Sequence, residues 1–136
     1  MLVCQPFAPA LSAVAVAEAL AEGLTAAGRA QPELCPLPAS SRDPAALLAR
    51  LDFDPRMRAA RALVVATQLL SRETLPGSLA FELATRARQS GVPCYAVSAD
   101  SRLDAFDARI LDLQLVLVAD TAAALRSAGR RLAEVI

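Results

Sequence analysis

The sequence contains no histidine, lysine, tryptophan or asparagine. The lack of histidine removes the usual imidazole base and a common metal ligand. The lack of lysine removes Schiff-base chemistry and the lysine that often contacts a phosphate. Its 14 basic residues are all arginine and balance 14 acidic residues, so the formal net charge is zero. Because no basic tract is present, the sequence gives no electrostatic reason to expect nucleic-acid binding.

Cysteine is scarce and follows no motif. Cys4, Cys35 and Cys94 lie far apart, and an odd number without CxxC spacing argues against a disulfide framework or a zinc site. No apolar run reaches the roughly 18 residues that a membrane span requires. The first residues also lack the basic segment of a signal peptide. We therefore expect a cytoplasmic protein without membrane contact, metal or cofactor.

Apolar residues are abundant, at 55% of the 136 residues. A chain of this length is expected to form a single domain, 1–136, with a sizeable core. Short apolar runs alternate with longer segments of helical spacing. We predict strands at 2–4, 33–37, 62–66, 93–98 and 113–119. We predict helices at 11–27, from 44 until a break at 54–55, at 78–89 and 103–109, and a last helix that Asp120 caps.

This alternation predicts parallel strands joined by right-handed crossovers, with helices on both faces of the sheet. The expected fold class is a three-layer α/β/α domain, doubly wound and Rossmann/flavodoxin-like. Five strands favour the order 2-1-3-4-5. Ligands of such sheets bind outside the carboxyl ends of the strands, near the point where strand order reverses.

The first two loops at those strand ends carry little chemistry. Residues 5–11 contain two prolines and no glycine, so this loop is not a phosphate-binding turn and is expected to be a rigid connector. Residues 38–43 could hold an anion through Ser40, Ser41 and Arg42, but a solvated turn with a helix cap is the favoured interpretation.

The loop predicted at 67–78 is the most polar, and it leads to a helix N-terminus whose free N–H groups could receive an anion. Leu69 and Leu70 are unusual in a loop and are expected either to pack beneath it or to contact a partner. Asp100 and Asp104 could bind a cation, but helix capping is favoured. No catalytic residue is assigned, and the candidate ligand-binding residues are Gln68, Ser71, Arg72, Gly77, Ser78, Ser98 and Asp100.

Residues 11–28, LSAVAVAEALAEGLTAAG, are one of three segments that carry a family resemblance. They are similar to the first helix, "LSA…EAAEAIAEGL", of the glycerate kinase family of the class built from two α/β domains. Residues 33–39, ELCPLPA, resemble its strand "VxxLPLADGG". Residues 60–99 align without gaps to "ADLVITGEGRLDAQTLxGKAPxGVAxxAxxxGVPVxAxxG", with matches at Thr74-Leu75, Gly77, Ala84 and Gly91-Val92-Pro93.

The resemblance implies the Rossmann-like half of that family without its inserted second domain, because only residues 40–60 separate the second and third segments. It also implies lost chemistry. QPFAPA stands for "PDSFKGS", ASSRDPA for "ADGGEGT", ATQLLS for "GEGRLD", and Ser78 for the lysine of "GKAP". Phosphoryl transfer depends on positioning and neutralising charge, and these replacements remove the groups that do so.

Our first hypothesis is a non-catalytic, glycerate-kinase-like domain that acts as a binding or interaction module. Loss of the covering domain would expose apolar surface, so we predict a homodimer or larger oligomer. The alternative is a binding protein or kinase-related enzyme with a rebuilt site, in which Ser71, Arg72, Ser78 and Asp100 surround an anionic metabolite or nucleotide. A third hypothesis pairs this chain with a separate chain that supplies the missing half.

Overall fold

The computed structural model describes residues 1–136 as five strands and six helices. The strands are β1 (Leu2–Cys4), β2 (Leu34–Pro36), β3 (Leu63–Leu70), β4 (Cys94–Ser101) and β5 (Leu113–Val118). The helices are α1 (Ala13–Ala26), α2 (Pro44–Arg50), α3 (Phe53–Ala59), α4 (Leu79–Gln89), α5 (Ala105–Ile110) and α6 (Ala122–Val135).

All neighbouring strands are parallel, and the sheet order is β2-β1-β3-β4-β5. Successive side chains of β3 serve two cores: Val64 and Ala66 face the core formed with α1 and α6, while Leu63 and Val65 face the core formed with α2, α3 and α4. A central strand buried on both faces has to be apolar throughout. The predicted three-layer fold and strand order are confirmed.

Side-chain caps set where the main helices begin. The hydroxyls of Ser12, Ser78 and Thr121 accept the backbone N–H groups of residues three positions further on, which satisfies donors that a helix start leaves free. The last helix is therefore capped by Thr121, and the prediction of Asp120 was wrong by one residue. A Thr hydroxyl accepts this bond as an Asp carboxylate would, so the two are hard to distinguish by type.

β3 and β4 both run further than predicted. The sequence prediction ended them at Ala66 and Ser98, but the two strands stay paired as far as Leu70 and Ser101. Leu70 is only 2% exposed, so it packs in the core. Gln68 and Asp100 are consequently strand residues rather than loop residues, because a neighbouring strand supplies hydrogen bonds to a segment that is polar on one side.

The break between α2 and α3 also lies earlier than predicted. Helix α2 ends at Arg50, and Asp52 adopts a left-handed conformation with φ of 48°. Pro55 then falls in the first turn of α3, where proline is tolerated because its missing N–H would have no helical partner. The predicted break at Asp54-Pro55 was therefore displaced by about one turn.

Candidate functional site

A cavity of about 300 Å³ opens at the carboxyl ends of β1 and β3. The strand order reverses between these two strands, and this is the position at which open α/β sheets bind ligands. The loops after β1 and β2, the end of β3 and the start of α4 contribute to its walls. Its polar lining side chains are Gln5, Ser40, Ser41, Thr67, Gln68, Thr74 and Ser78.

Gln5, directly after β1, ties two of these loops together. Its side chain is almost fully buried, and its Nε2 donates to the carbonyl oxygens of Pro38 at 3.0 Å and Ala39 at 2.8 Å. The side-chain amide thereby holds the loop after β2 against the end of β1. The sequence interpretation of residues 5–11 as a connector did not foresee this wall of the cavity.

Thr67 is the first polar residue of β3, and it lies at the cavity wall. Its side chain is 8% exposed. The side-chain hydrogen bonds of this region are made instead by Gln5, Ser71, Ser78 and Ser98. The buried side-chain oxygen that lacks a partner in the chain is Oδ1 of Asp54, so the hydroxyl of Thr67 reaches the solvent of the cavity and is open to a molecule that enters it.

The amino end of α4 forms the opposite wall. Gly77 has a φ of 72°, which a glycine adopts without strain, and it turns the chain into the helix. The Ser78 hydroxyl accepts the N–H of Phe81 at 3.1 Å. The N–H groups of Leu79 and Ala80, in the first helical turn, have no acceptor within the helix, and both residues line the cavity. This end of α4 carries the partial positive charge of a helix N-terminus.

The cavity lining contains no carboxylate, guanidinium or thiol. Its serine and threonine hydroxyls therefore have no adjacent base that could activate them as nucleophiles. It also offers no group that could exchange a proton with a substrate near neutral pH. The site can recognise a ligand through hydrogen bonds and a helix dipole, and it holds nothing that would drive acid–base chemistry.

Three of the seven candidate residues from the sequence, Gln68, Gly77 and Ser78, line this cavity. Ser71 is buried and hydrogen-bonds the hydroxyl of Thr74 at 3.0 Å. Ser98 is fully buried and donates to the carbonyl oxygens of Gln68 and Asp100. Ser71 and Ser98 thus stabilise the loop and the strand pair behind the cavity.

The two charged candidates lie away from the cavity and pair with neighbours. Arg72 contacts Asp107 at 2.6 Å, and this hydrogen bond holds the pKa of Arg72 above its ordinary value. Asp100 pairs with Arg102 at 3.0 Å. Of the four residues that the rebuilt-site hypothesis places around an anion, only Ser78 lines the cavity, because β3 and β4 extend past the predicted loop starts.

The three cysteines are free and buried. Burial raises the pKa of Cys4 and that of Cys94 to about 12, so these thiols stay neutral near neutral pH and are poor nucleophiles. No group of three His, Cys, Asp or Glu side chains is arranged to hold a metal ion. No helix combines the length and the apolar character needed to cross a bilayer.

The fold and the cavity define a three-layer α/β domain whose candidate site is a neutral, hydrogen-bonding pocket at the switch point of its sheet. No protein-family model, curated protein or solved structure matches the chain.

Proposed function

We propose that this chain is a non-catalytic binding domain, and that its cavity at the switch point holds a small polar ligand with an anionic group. One observation carries the proposal. The cavity brings the free hydroxyl of Thr67 and the first amides of α4 together in a lining without ionisable side chains. These groups donate hydrogen bonds, and the helix start favours negative charge.

The size of the cavity limits the ligand class. Its volume of about 300 Å³ lies at the lower end of the range for small-molecule sites. A carboxylate or phosphate group with a few further heavy atoms is therefore a better match than a nucleotide. Selectivity would come from the Thr67 hydroxyl, the Gln68 amide and the serines of the loop after β2.

The resemblance to glycerate kinases supports a domain that kept its scaffold and lost its chemistry. The segment ATQLLS, which stands where that family has GEGRLD, forms the end of β3 and part of the cavity wall. Its side chains carry no charge, so they cannot neutralise the charge of a phosphoryl group during its transfer. Membership of the family is itself part of this proposal.

The test is a ligand titration followed by amide NMR, with glycerate and inorganic phosphate as probes. Saturable shifts at the amides of Thr67, Leu79 and Ala80 are expected, together with a rise in Tm that follows the ligand concentration. Thr67→Val removes the hydroxyl at nearly constant volume and should weaken binding about tenfold, the cost of roughly one hydrogen bond.

Thr85→Val on α4 is the matched control, since Thr85 lies outside the cavity wall. It should leave the titration unchanged. The binding proposal is wrong if neither probe shifts these amides at about 10 mM, or if Thr67→Val binds as the wild type does. Turnover of ATP and glycerate by the purified protein would contradict its non-catalytic character.

We also propose a cytoplasmic location. The three cysteines are unpaired, as is usual in a reducing compartment. Cell fractionation with an antibody against the native chain tests this, and recovery outside the cytoplasmic fraction would contradict it.

A further inference from the structure

The outer edge of β5 is an open edge of the sheet. Strand β5 pairs only with β4, and the N–H of Ala119 donates to the carbonyl oxygen of Ser98 at 2.9 Å. Backbone groups along a strand alternate between its two sides. The N–H and C=O groups of Val116 and Val118 therefore point away from β4, toward the open edge.

Nothing in the composition of β5 blocks this edge. Its six residues, LQLVLV, include no charged residue and no proline, which are two of the features that prevent strand addition. Its one irregularity against β4 precedes Val116, and the pairing from Val116 to Val118 is regular. The side chain of Val118 is 64% exposed, which is high for a valine of a sheet.

The grooves beside this edge combine apolar residues with charged ones on both faces of the sheet. A groove between β5 and α5 is lined by Leu103, Ala108 and Leu113, and another between β5 and α6 by Leu117 and Ala128. Helix α5 buries none of its residues, and its Phe106 and Ile110 are 64% and 50% exposed. No other part of the chain covers the edge.

We propose that a second copy of this chain occupies the edge, by antiparallel pairing of β5 with β5 about a twofold axis. An isologous contact of this kind requires a self-complementary surface, and a bare strand edge supplies donors and acceptors in equal number. The outward groups predict the register. Val116 lies opposite Val116 of the second copy, within the part of β5 that pairs regularly with β4.

Charge complementarity favours a second copy over an unrelated partner. Arg109 lines the groove at the amino end of β5, and Asp120 lies two residues past the carboxyl end of that strand. Neither takes part in the ion pairs within the chain. Antiparallel pairing brings the carboxyl end of the other β5, with its Asp120, to the amino end of this β5, beside Arg109.

The symmetry repeats this pairing at both corners of the interface. Asp112 also lies at the amino end of β5, and Arg131 lines the groove beside Leu117 and Val118 near the carboxyl end, so each corner gathers two acidic and two basic residues from the two copies. Balanced opposite charges at an interface rim set register and orientation more than affinity. Affinity would come from the backbone hydrogen bonds and the apolar residues of the grooves.

Disulfide trapping tests the register. In a hydrogen-bonded antiparallel pair the Cα atoms are about 5.5 Å apart, within the range that a disulfide spans. Val116→Cys should therefore give a covalent dimer on mild oxidation, because the three native cysteines are buried and free. Gln89→Cys, at the exposed end of α4, is the control and should stay monomeric on a non-reducing gel.

Sedimentation equilibrium tests the interface itself. The wild type is expected to be dimeric, and Val118→Lys, which adds a charge to the edge, should raise the dissociation constant at least tenfold with an unchanged circular dichroism spectrum. Arg109→Glu should weaken the dimer as well, and the double variant Arg109→Glu, Asp120→Arg should recover it.

A wild type that is monomeric at about 100 μM would overturn the proposal. Equal cross-linking of the Val116→Cys and Gln89→Cys variants would overturn it too, as would a dimer that Val118→Lys leaves intact. None of these outcomes bears on ligand binding at the cavity, so this interface and the proposed function are tested separately.

Discussion

The two edges of the sheet are built differently. Edge strand β2 has three residues. The N–H of Leu2 on β1 donates to the carbonyl oxygen of Glu33, and the N–H of Leu37 donates to the carbonyl oxygen of Cys4. The same alternation turns the nitrogen of Pro36 outward, where proline has no N–H to offer. Strand β5 is twice as long, has no proline and no charge, and keeps its outward donors.

This difference shows that one sheet can block strand addition at one edge and permit it at the other. Proline at an outward position prevents strand addition without disturbing the inner ladder, because that ladder never used the missing donor. The contrast depends on the residue types of each edge strand. Single substitutions should therefore open the edge at β2 to strand addition or close the edge at β5.

The largest effect is expected where the helices that cover the two edges meet. Helix α1 lies over β1 and β2, α6 flanks β5, and the two helices contact each other closely at Gly23 and Gly129. A Cβ at Gly129 would overlap the backbone carbonyl of Leu20 and approach the Cα of Gly23 to 2.9 Å. Gly129→Ala should therefore lower the free energy of unfolding by about 3 kcal/mol.

Urea denaturation measures this loss. Gly77→Ala is a useful control, because open space surrounds Gly77 and only its positive φ opposes the change; it should cost about 1 kcal/mol. Equal losses of unfolding free energy for the two variants would show that the packing of α1 against α6 at Gly129 is not tight.

The second prediction concerns the thiols near the two edges. Cys94 pairs with Leu113 of β5, and burial raises its pKa from 9.0 to about 12. Burial also raises the pKa of Cys35 on β2. The unfolded chain ionises these thiols above pH 9 and the folded chain does not. Stability is therefore intact below pH 9 and falls as the pH rises toward 12, by up to about 1.4 kcal/mol per pH unit for each thiol.

Urea denaturation between pH 8 and pH 10.5 follows this slope, and Cys94→Ala should reduce it. The Arg56 guanidinium works against burial at Cys35. Cys35→Ala should consequently reduce the slope less than Cys94→Ala does, and the reverse order would contradict the assignment.

The third prediction opens the closed edge. Pro36→Val restores an outward N–H on β2 and is expected to change stability by less than about 1 kcal/mol, because the inner ladder is unaffected. With both edges open, dimers could join further, and light scattering should detect species larger than a dimer. Pro76→Val, an exposed proline before α4, is the control and should not promote assembly.

The smallest effect is expected at the exposed face of β5. Val118→Thr keeps the shape of the side chain and should alter the free energy of unfolding by less than about 0.5 kcal/mol, because Val118 is mostly exposed. Val65→Thr, on the buried strand β3, should cost about 1–3 kcal/mol because its hydroxyl has no partner. Thermal unfolding of both variants at low concentration compares them, and similar losses would show that β5 is not an exposed edge.

Much of the architecture could be read from the sequence. The apolar run from Ala62 to Ala66 and the helical spacing around it predict a parallel sheet between two helical layers, because only that arrangement buries both sides of such a strand. The ends of β3 and β4 could not be predicted, since polar residues such as Thr67, Gln68 and Asp100 are typical of loops. Their strand conformation depends on pairing with each other.

The candidate site was predictable in part. Gln68, Gly77 and Ser78 were found because a polar segment before a helix marks the carboxyl end of a strand. Gln5 and Thr67 were missed, although each is the first polar residue after an apolar run. That position is a signal for switch-point residues, and it would have drawn attention to both.

The pattern of apolar residues predicted the layers and favoured the observed strand order, because these follow from the burial of each strand and from chain direction. Only the tertiary structure decided three further features. These are the proximity of Thr67 to the start of α4, the ion pairs of Arg72 and Asp100 outside the cavity, and the exposure of β5. They depend on strand register and long-range packing, which place residues far apart in sequence at one cavity or at one edge.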